Sequence, residues 1–559
     1  MKAITIIIFL CVFNMFCFSQ TPYWEWVMSG GGNDKEFAVS TASDPFGNTY
    51  LTGYFASPSI TFGSITLNNN SVFGTFDIFL IKYDVNGKVI WGKSFGGTDS
   101  EYAEGVCTDI YGNIYVVGEF SSNNFQIDGN LYYYNGGKDV YLAKLDSSGK
   151  YQWGAVVGGT GDDYCKGVVV DTLFQNELVY IAGYYDSDTL LFDWYNYTFN
   201  NSSANDIFIV NYYAGILNNY LPGGGSNDDL IESIDLDKNG NIYVSGEFNS
   251  TDFNFGGKSL STSGSNDAFT IKVAPYLTSS LWAKSIGGSG NDISEGLSVA
   301  DNGEVYVSGY YSNSLSVNNQ ILTSNGNRDI LLVKYDSSGN EVWGKSWGGT
   351  SYDGAESIVV DAYNNVYLAG YFQTTNLSIG NFSMANQGLN DIFLMKLDSG
   401  GNELWALSEG GSLNDYAFDI NADAFGNVYI CGSFSSNSIQ WDNFTIQNSG
   451  SNDAYLAKIN DAIATSIIEN KLTQKTNDLF YNSITKELTI NLNAINPTAV
   501  YLINSLGQIY ILENDWENSS DNYRSIIKTY NLSYLNLSRG VYHVLFPGKD
   551  KISSSIYID

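Results

Sequence analysis

Two sets of carboxylates recur in register along the chain, and they are the residues best suited to chemistry. Glu36, Glu101, Asp163, Asp229, Asp292, Asp353 and Asp415 each follow a glycine pair by a fixed gap. Asp77, Asp139, Asp206, Asp267, Asp329, Asp391 and Asp453 each open a β-forming run such as "DIFLMKLD". Acids so arranged can hold a hard cation such as Ca²⁺, which takes oxygen ligands. Two of them at a set separation can hydrolyse a glycosidic bond. A third use is structural, because a carboxylate that accepts backbone N–H groups pins a glycine-rich loop. Recurrence in every unit favours this structural use, since hydrolases place their acids on unlike loops. The first set is the candidate metal site, its seven members meeting around one axis if the repeats close. Histidine triads and histidine metal sites are excluded from these units, because the sole histidine is His543, near the C-terminal end.

What must position these acids is a repeat. One line of it reads "GNTYLTGYF", "GNIYVVGEF", "NELVYIAGYY", "GNIYVSGEF", "GEVYVSGYY", "NNVYLAGYF" and "GNVYICGSF" in seven successive copies. A fixed period filled with strand patterns means a propeller or a solenoid. Each unit holds four main strands, in one copy "ESIVVD", "NVYLAGYF", "DIFLMKLD" and "ELWALS". Runs such as "DPFGN" and "DSSG" supply the turns, with a short acceptor side chain and a residue tolerant of positive φ. Between the second and third strands lies an added hairpin, for example "LSIGNFSM", which stretches the period to about sixty residues.

The ends decide between ring and open array. The seventh unit stops after its third strand, "DAYLAKIND", and the segment "YWEWVMSGG" supplies a fourth strand with no three before it. Pairing the two removes exposed edges, so the sequence predicts an all-β, closed seven-bladed β-propeller over residues 21–461. Blades three and four depart from the pattern: Asn211 takes the usual lysine place, and Tyr220 falls near the tryptophan place. "DLDKNGN" at 235–241 resembles half a calcium loop, but its twelfth position is Gly246, so it reads as a turn.

The recurring "GNVYVSG"-like phrases and the "D-x-F-L-x-K-Y-D" runs resemble the SBBP-type seven-bladed propeller repeat of Bacteroidetes. That resemblance implies a fold without a defined ligand or reaction. After a linker at 462–478, residues 479–559 carry a new β pattern that suggests a small sandwich. "NSLGQ" and "LSRGVYHV" there resemble the C-terminal sorting domain of the type IX secretion system, which implies export by that machinery.

Composition bounds the partners. The formal charge of −33 argues against nucleic acid and anionic membrane, leaving cations, neutral glycans or a surface protein. Residues 1–19 read as a signal peptide, from Lys2 through the apolar run Ile4–Phe18, and no later segment is apolar enough to span a membrane. Cys107, Cys165 and Cys431 occupy three unlike strand positions, which suits isolated thiols. Tyr132–Tyr134 and Trp194, Tyr195 and Tyr197 in the hairpins could stack on sugars. The resulting expectation is a secreted or surface-displayed, non-catalytic binding or adhesion scaffold. Its rival is a carbohydrate-active hydrolase with paired acids on the irregular blades.

Overall fold

The structure, a computed structural model, describes residues 22–461 apart from 71–73, 172–176, 193–194, 198–203 and 424–425, and then strands between Leu479 and Ile558. The expected signal peptide, the linker at 462–478 and Trp194 lie outside the described residues.

The repeat folds as the sequence predicts. In blade six the antiparallel order is Asp353–Val360, Val366–Phe372, Asp391–Leu397 and Glu403–Glu409. The second and third of these are buried at every position. They are covered on both faces by neighbouring blades, so both alternating sets of side chains must be apolar or paired. First strands of successive blades pack side by side in a closed series, with Glu36–Ser43 touching both Glu101–Thr108 and Asp415–Ala422. The chain is therefore a seven-bladed β-propeller.

Closure uses the expected strand. Tyr23–Gly31 pairs antiparallel with Asp453–Asn460, from Tyr23↔Asn460 to Gly30↔Ala454. A β-bulge between Trp24 and Trp26 breaks the alternation and sends the two tryptophans to opposite sides. Trp24 joins the core between blades six and seven, and Trp26 the core between blades seven and one. The Trp24 indole N–H donates to Glu409 Oε1 at 2.6 Å, and that of Trp26 to the Val85 carbonyl at 3.2 Å. Asp419 of blade seven completes the inner ring, accepting from Thr41 N at 2.8 Å and Ser357 Oγ at 2.9 Å.

One face carries the turns after the first and third strands. Asp237 holds such a turn, accepting from Asn239 N at 2.8 Å and Asn241 N at 3.0 Å while Gly240 takes a φ of 76°. "DLDKNGN" is thus an Asx turn of the common kind. Lys272 sits 3.5 Å from that Asp237 and 4.9 Å from the Tyr243 ring centroid, a clasp repeated by Lys82, Tyr50 and Asp44 in blade one. Blade three lacks it. Register sets Asn219, not Tyr220, opposite Asn211, and Tyr220 stacks on Phe192 at 5.6 Å.

The other face carries the hairpins, and each reaches across to the blade before it. Gly30↔Phe62, Val157↔Phe192 and Gly223↔Phe255 are antiparallel pairs between an outer strand and the next blade's hairpin. Tyr132, expected to be an exposed hairpin aromatic, is instead buried: it packs on Phe125 and Tyr141, and its hydroxyl donates to the Leu142 carbonyl at 3.2 Å. Tyr133 and Tyr134 are exposed. All three cysteines of the described residues are free thiols. Beyond the propeller, Leu479–Asn482, Glu487–Leu492 and Ile526–Asn531 form one antiparallel sheet, and Val500–Asn504, Ile509–Leu512, Gly540–Phe546 and Ile552–Ile558 a second.

Candidate functional site at the channel mouth

The seven acids of the first set open the innermost strands and are all buried. Each sits in its own glycine corner. Gly97 N donates to Glu101 at 2.7 Å, Gly159 N to Asp163 at 2.7 Å, Gly288 N to Asp292 at 2.7 Å and Gly349 N to Asp353 at 2.9 Å. Glu36 and Asp415 accept likewise from Gly32 at 3.1 Å and Gly411 at 2.8 Å, and Asp229 from Gly225. A hydroxyl from the end of the second strand often adds a bond, as Thr374 Oγ1 does to Asp353 at 2.6 Å and Ser436 Oγ to Asp415 at 2.7 Å.

The second set works beside the first. Asn135 N donates to Asp139 at 2.5 Å, and Gln387 N to Asp391 at 2.5 Å. These aspartates also explain the glycine pairs: a Cβ on Gly31 would lie 2.0 Å from Asp453, and one on Gly96 would lie 2.1 Å from Asp77. Across each junction a second-set acid faces a first-set acid of the next blade, as Asp453 faces Glu36 and Asp139 faces Asp163. The acids are therefore spread over the blade junctions in twos. Among the described residues no three His, Cys, Asp or Glu side chains group as metal ligands. Two carboxyls and a hydroxyl supply fewer oxygens than the six to eight that Ca²⁺ takes.

Burial, ahead of the neighbouring acid, pushes Glu36 and Glu101 up to about 7 and Asp163 to about 8, and burial alone pushes Asp139 to about 7. The folded chain thus keeps protons that the unfolded chain releases above about pH 4, the ordinary carboxylate range. More protons bound in the folded state means stability falls as pH rises, here from about 4 to about 8. The melting temperature should accordingly be higher at pH 5 than at pH 8; a flat or rising profile would show that these acids do not govern it.

A different set of side chains lines the channel. All seven innermost strands carry a β-bulge at their fourth residue, Val39, Glu104, Lys166, Glu232, Glu295, Glu356 and Phe418 in turn. A bulge re-aims the extra side chain, and these turn toward the axis. Lys166 of blade three pairs with Glu232 at 3.0 Å and also acts on Glu295 and Glu356 of blades five and six, a reach that only a central channel permits. Glu119 and Glu247 join from second strands, Glu119 Oε1 accepting from Cys165 N at 2.9 Å. Burial raises Glu104, Glu119, Glu247 and Glu295, and holds Glu356 at about 7 despite Arg328 beside it. For Lys166, burial opposes the charge, but Glu232 and Glu104 outweigh it and keep the ammonium well above its usual value.

Above this throat, on the hairpin face, the residues preceding the second-set aspartates form a mouth: Phe76, Lys138, Asn205, Asn266, Arg328, Asn390 and Asn452. Tyrosines stand between them. The Lys138 ammonium lies 4.7 Å from the Tyr102 ring and 4.9 Å from that of Tyr164, while Arg328 lies 4.0 Å from the Tyr310 ring. Tyr54 meets Tyr102 edge-on at 5.0 Å, and Tyr371 meets Tyr416 at 5.2 Å. Asn390 Nδ2 donates to Tyr416 Oη at 2.8 Å, which fixes both groups. Amides, aromatic faces and caged cations around a water-accessible opening suit recognition of a polar ligand. The sequence reading missed this set, because its residues differ from blade to blade and follow a bulge. The glutamate that recurs three residues after the first-set acid in four units, Glu104, Glu232, Glu295 and Glu356, was the signal available.

No protein-family model matches the chain. It is 22% identical over 551 residues to an uncharacterized WD repeat-containing protein of Acanthamoeba polyphaga mimivirus, covering 79% of this chain and 39% of that protein. It is also 25% identical over 159 residues to the regulatory protein FlaEY of Caulobacter vibrioides, covering 27% of this chain and 16% of the relative. The chain thus spans well under half the length of these relatives. Among solved structures, Sqt1 from Chaetomium thermophilum aligns with a TM-score of 0.38 and 8% identity, over 77% of this chain and 86% of that one.

Proposed function

We propose that the chain is a secreted or surface-displayed propeller that binds a glycan or surface protein at its channel mouth without turning it over. The observation that carries this reading is the mouth itself, where tyrosines, fixed amides and two caged cations face solvent while the recurrent acids are occupied in glycine corners. The rival reading as a carbohydrate hydrolase predicts turnover of a polysaccharide panel, whereas the binding reading predicts retention of intact ligand, lost when Tyr102 and Tyr352 are changed to Ala. Release of reducing ends by the full chain would overturn it.

Export through the type IX machinery is part of the same proposal, supported by the resemblance of residues 479–559 to a sorting domain. Removal of residues 462–559 should leave the propeller in the periplasm of its host; its normal appearance outside the cell would end the sorting assignment. Calcium at Glu36, Glu101, Asp163, Asp229, Asp292, Asp353 and Asp415 is also a proposal, and melts run with and without chelator read it out. A midpoint that ignores chelator leaves these acids as loop anchors alone.

A further inference from the structure

Arg328 is the single arginine between residues 22 and 461. It stands where four other blades place asparagine, and three tyrosines cage it. Its guanidinium carbon lies 4.0 Å from the Tyr310 ring, 5.4 Å from that of Tyr352 and 5.7 Å from that of Tyr371, and its Nη2 donates to Tyr371 Oη. A guanidinium offers five N–H donors in a planar fork. No ion pair to a described residue uses them, and the buried Nε has no hydrogen-bond partner among those residues. Burial raises the pKa of the nearby Glu356 carboxyl, which weakens it as a counter-charge. A half-buried cation with unspent donors is costly unless something pairs with it.

The best match to a rigid planar fork is a carboxylate, bound through two parallel N–H···O bonds. Tyr352 stands beside it with 46% of its surface exposed, a free face on which a sugar ring can stack. Next to it, the Asn390 amide is held by Asn414 at 2.9 Å and Tyr416 at 2.8 Å. The charge of −33 repels a polyanion over long range. One carboxylate on an otherwise neutral glycan escapes most of that, because fields from charges beyond about 8 Å are screened at physiological salt.

We propose that Arg328 is the anchor for the carboxylate of an isolated acidic sugar, such as a single uronate on a neutral oligosaccharide, with Tyr352 as its stacking platform. The proposal rests on the mouth being a binding site. Calorimetry on the full chain can compare a xylo-oligosaccharide bearing one glucuronate, its carboxyl-reduced form and an acidic peptide. The acidic sugar should bind at least tenfold more tightly than its reduced form. Arg328→Lys, which keeps the charge but loses the fork, should erase that difference. Tyr352→Ala, which leaves the arginine in place, should weaken both sugars severalfold and serves as the test if the lysine variant melts early. Equal affinity for the two sugars, or an Arg328→Lys chain that still prefers the acid, overturns the carboxylate assignment and leaves the glycan-binding reading standing. Capture of the peptide with neither sugar bound overturns the saccharide; no binding by any probe overturns the binding reading as well.

Discussion

Deletion of residues 23–28 should make the propeller aggregate. The strand they form buries Trp24 against blade six and Trp26 against blade one, so its loss opens two blade junctions at once. Removing a buried tryptophan side chain costs about 3–5 kcal/mol, and here two go, together with the ladder to Asp453–Asn460. A typical domain holds about 5–15 kcal/mol in total. What remains exposes a bare edge on the third strand of blade seven, a template for intermolecular pairing. Size-exclusion chromatography and thermal melts read the result. A truncated chain that stays monomeric and melts like the parent would refute closure by this strand.

Asp461→Ala should be nearly as damaging, although the residue ends the last repeat. Asp461 is buried and forms an ion pair with the buried ammonium of Lys396, while Tyr367 Oη donates to it at 3.0 Å. Taking away one partner of a buried pair leaves the other charge uncompensated, at a cost of about 3–5 kcal/mol. The double variant Lys396→Met with Asp461→Asn should recover much of that loss, because it removes the stranded charge. If the single substitution leaves the melting temperature unmoved, Lys396 must find another partner. A propeller chain ending before Asp461 should show the same defect, which sets the C-terminal limit of the folding unit.

Some of this was legible in the sequence, for physical reasons. Continuous apolar runs such as Val366–Phe372 announce strands covered on both faces, and the orphan "YWEWVMSGG" announces the partner of an incomplete blade. The glycine pairs with their trailing acids were also legible as loop anchors. The channel was not. Alternation predicts which residues share a face until a bulge shifts the phase, and every innermost strand bulges where its channel residue stands, as between Ala103 and Gly105. Recurrence drew attention to the acids because all seven corners need the same bonds. The mouth and throat are made of positions where the blades disagree: lysine at 166 among glutamates, arginine at 328 among asparagines. In a repeat fold, what every unit shares maintains the ring, and what one unit changes is free to meet something else.

The closing strand also fixes how the propeller is displayed. Tyr23 lies opposite Asn460 at the turn end of blade seven, so the polypeptide enters and leaves the ring at neighbouring points. Both points are on the face away from the hairpins. A tether attached at either end would therefore hold the molecule from behind, with the mouth turned outward. A bead or cell coupled through these termini should accept ligand as readily as the free protein.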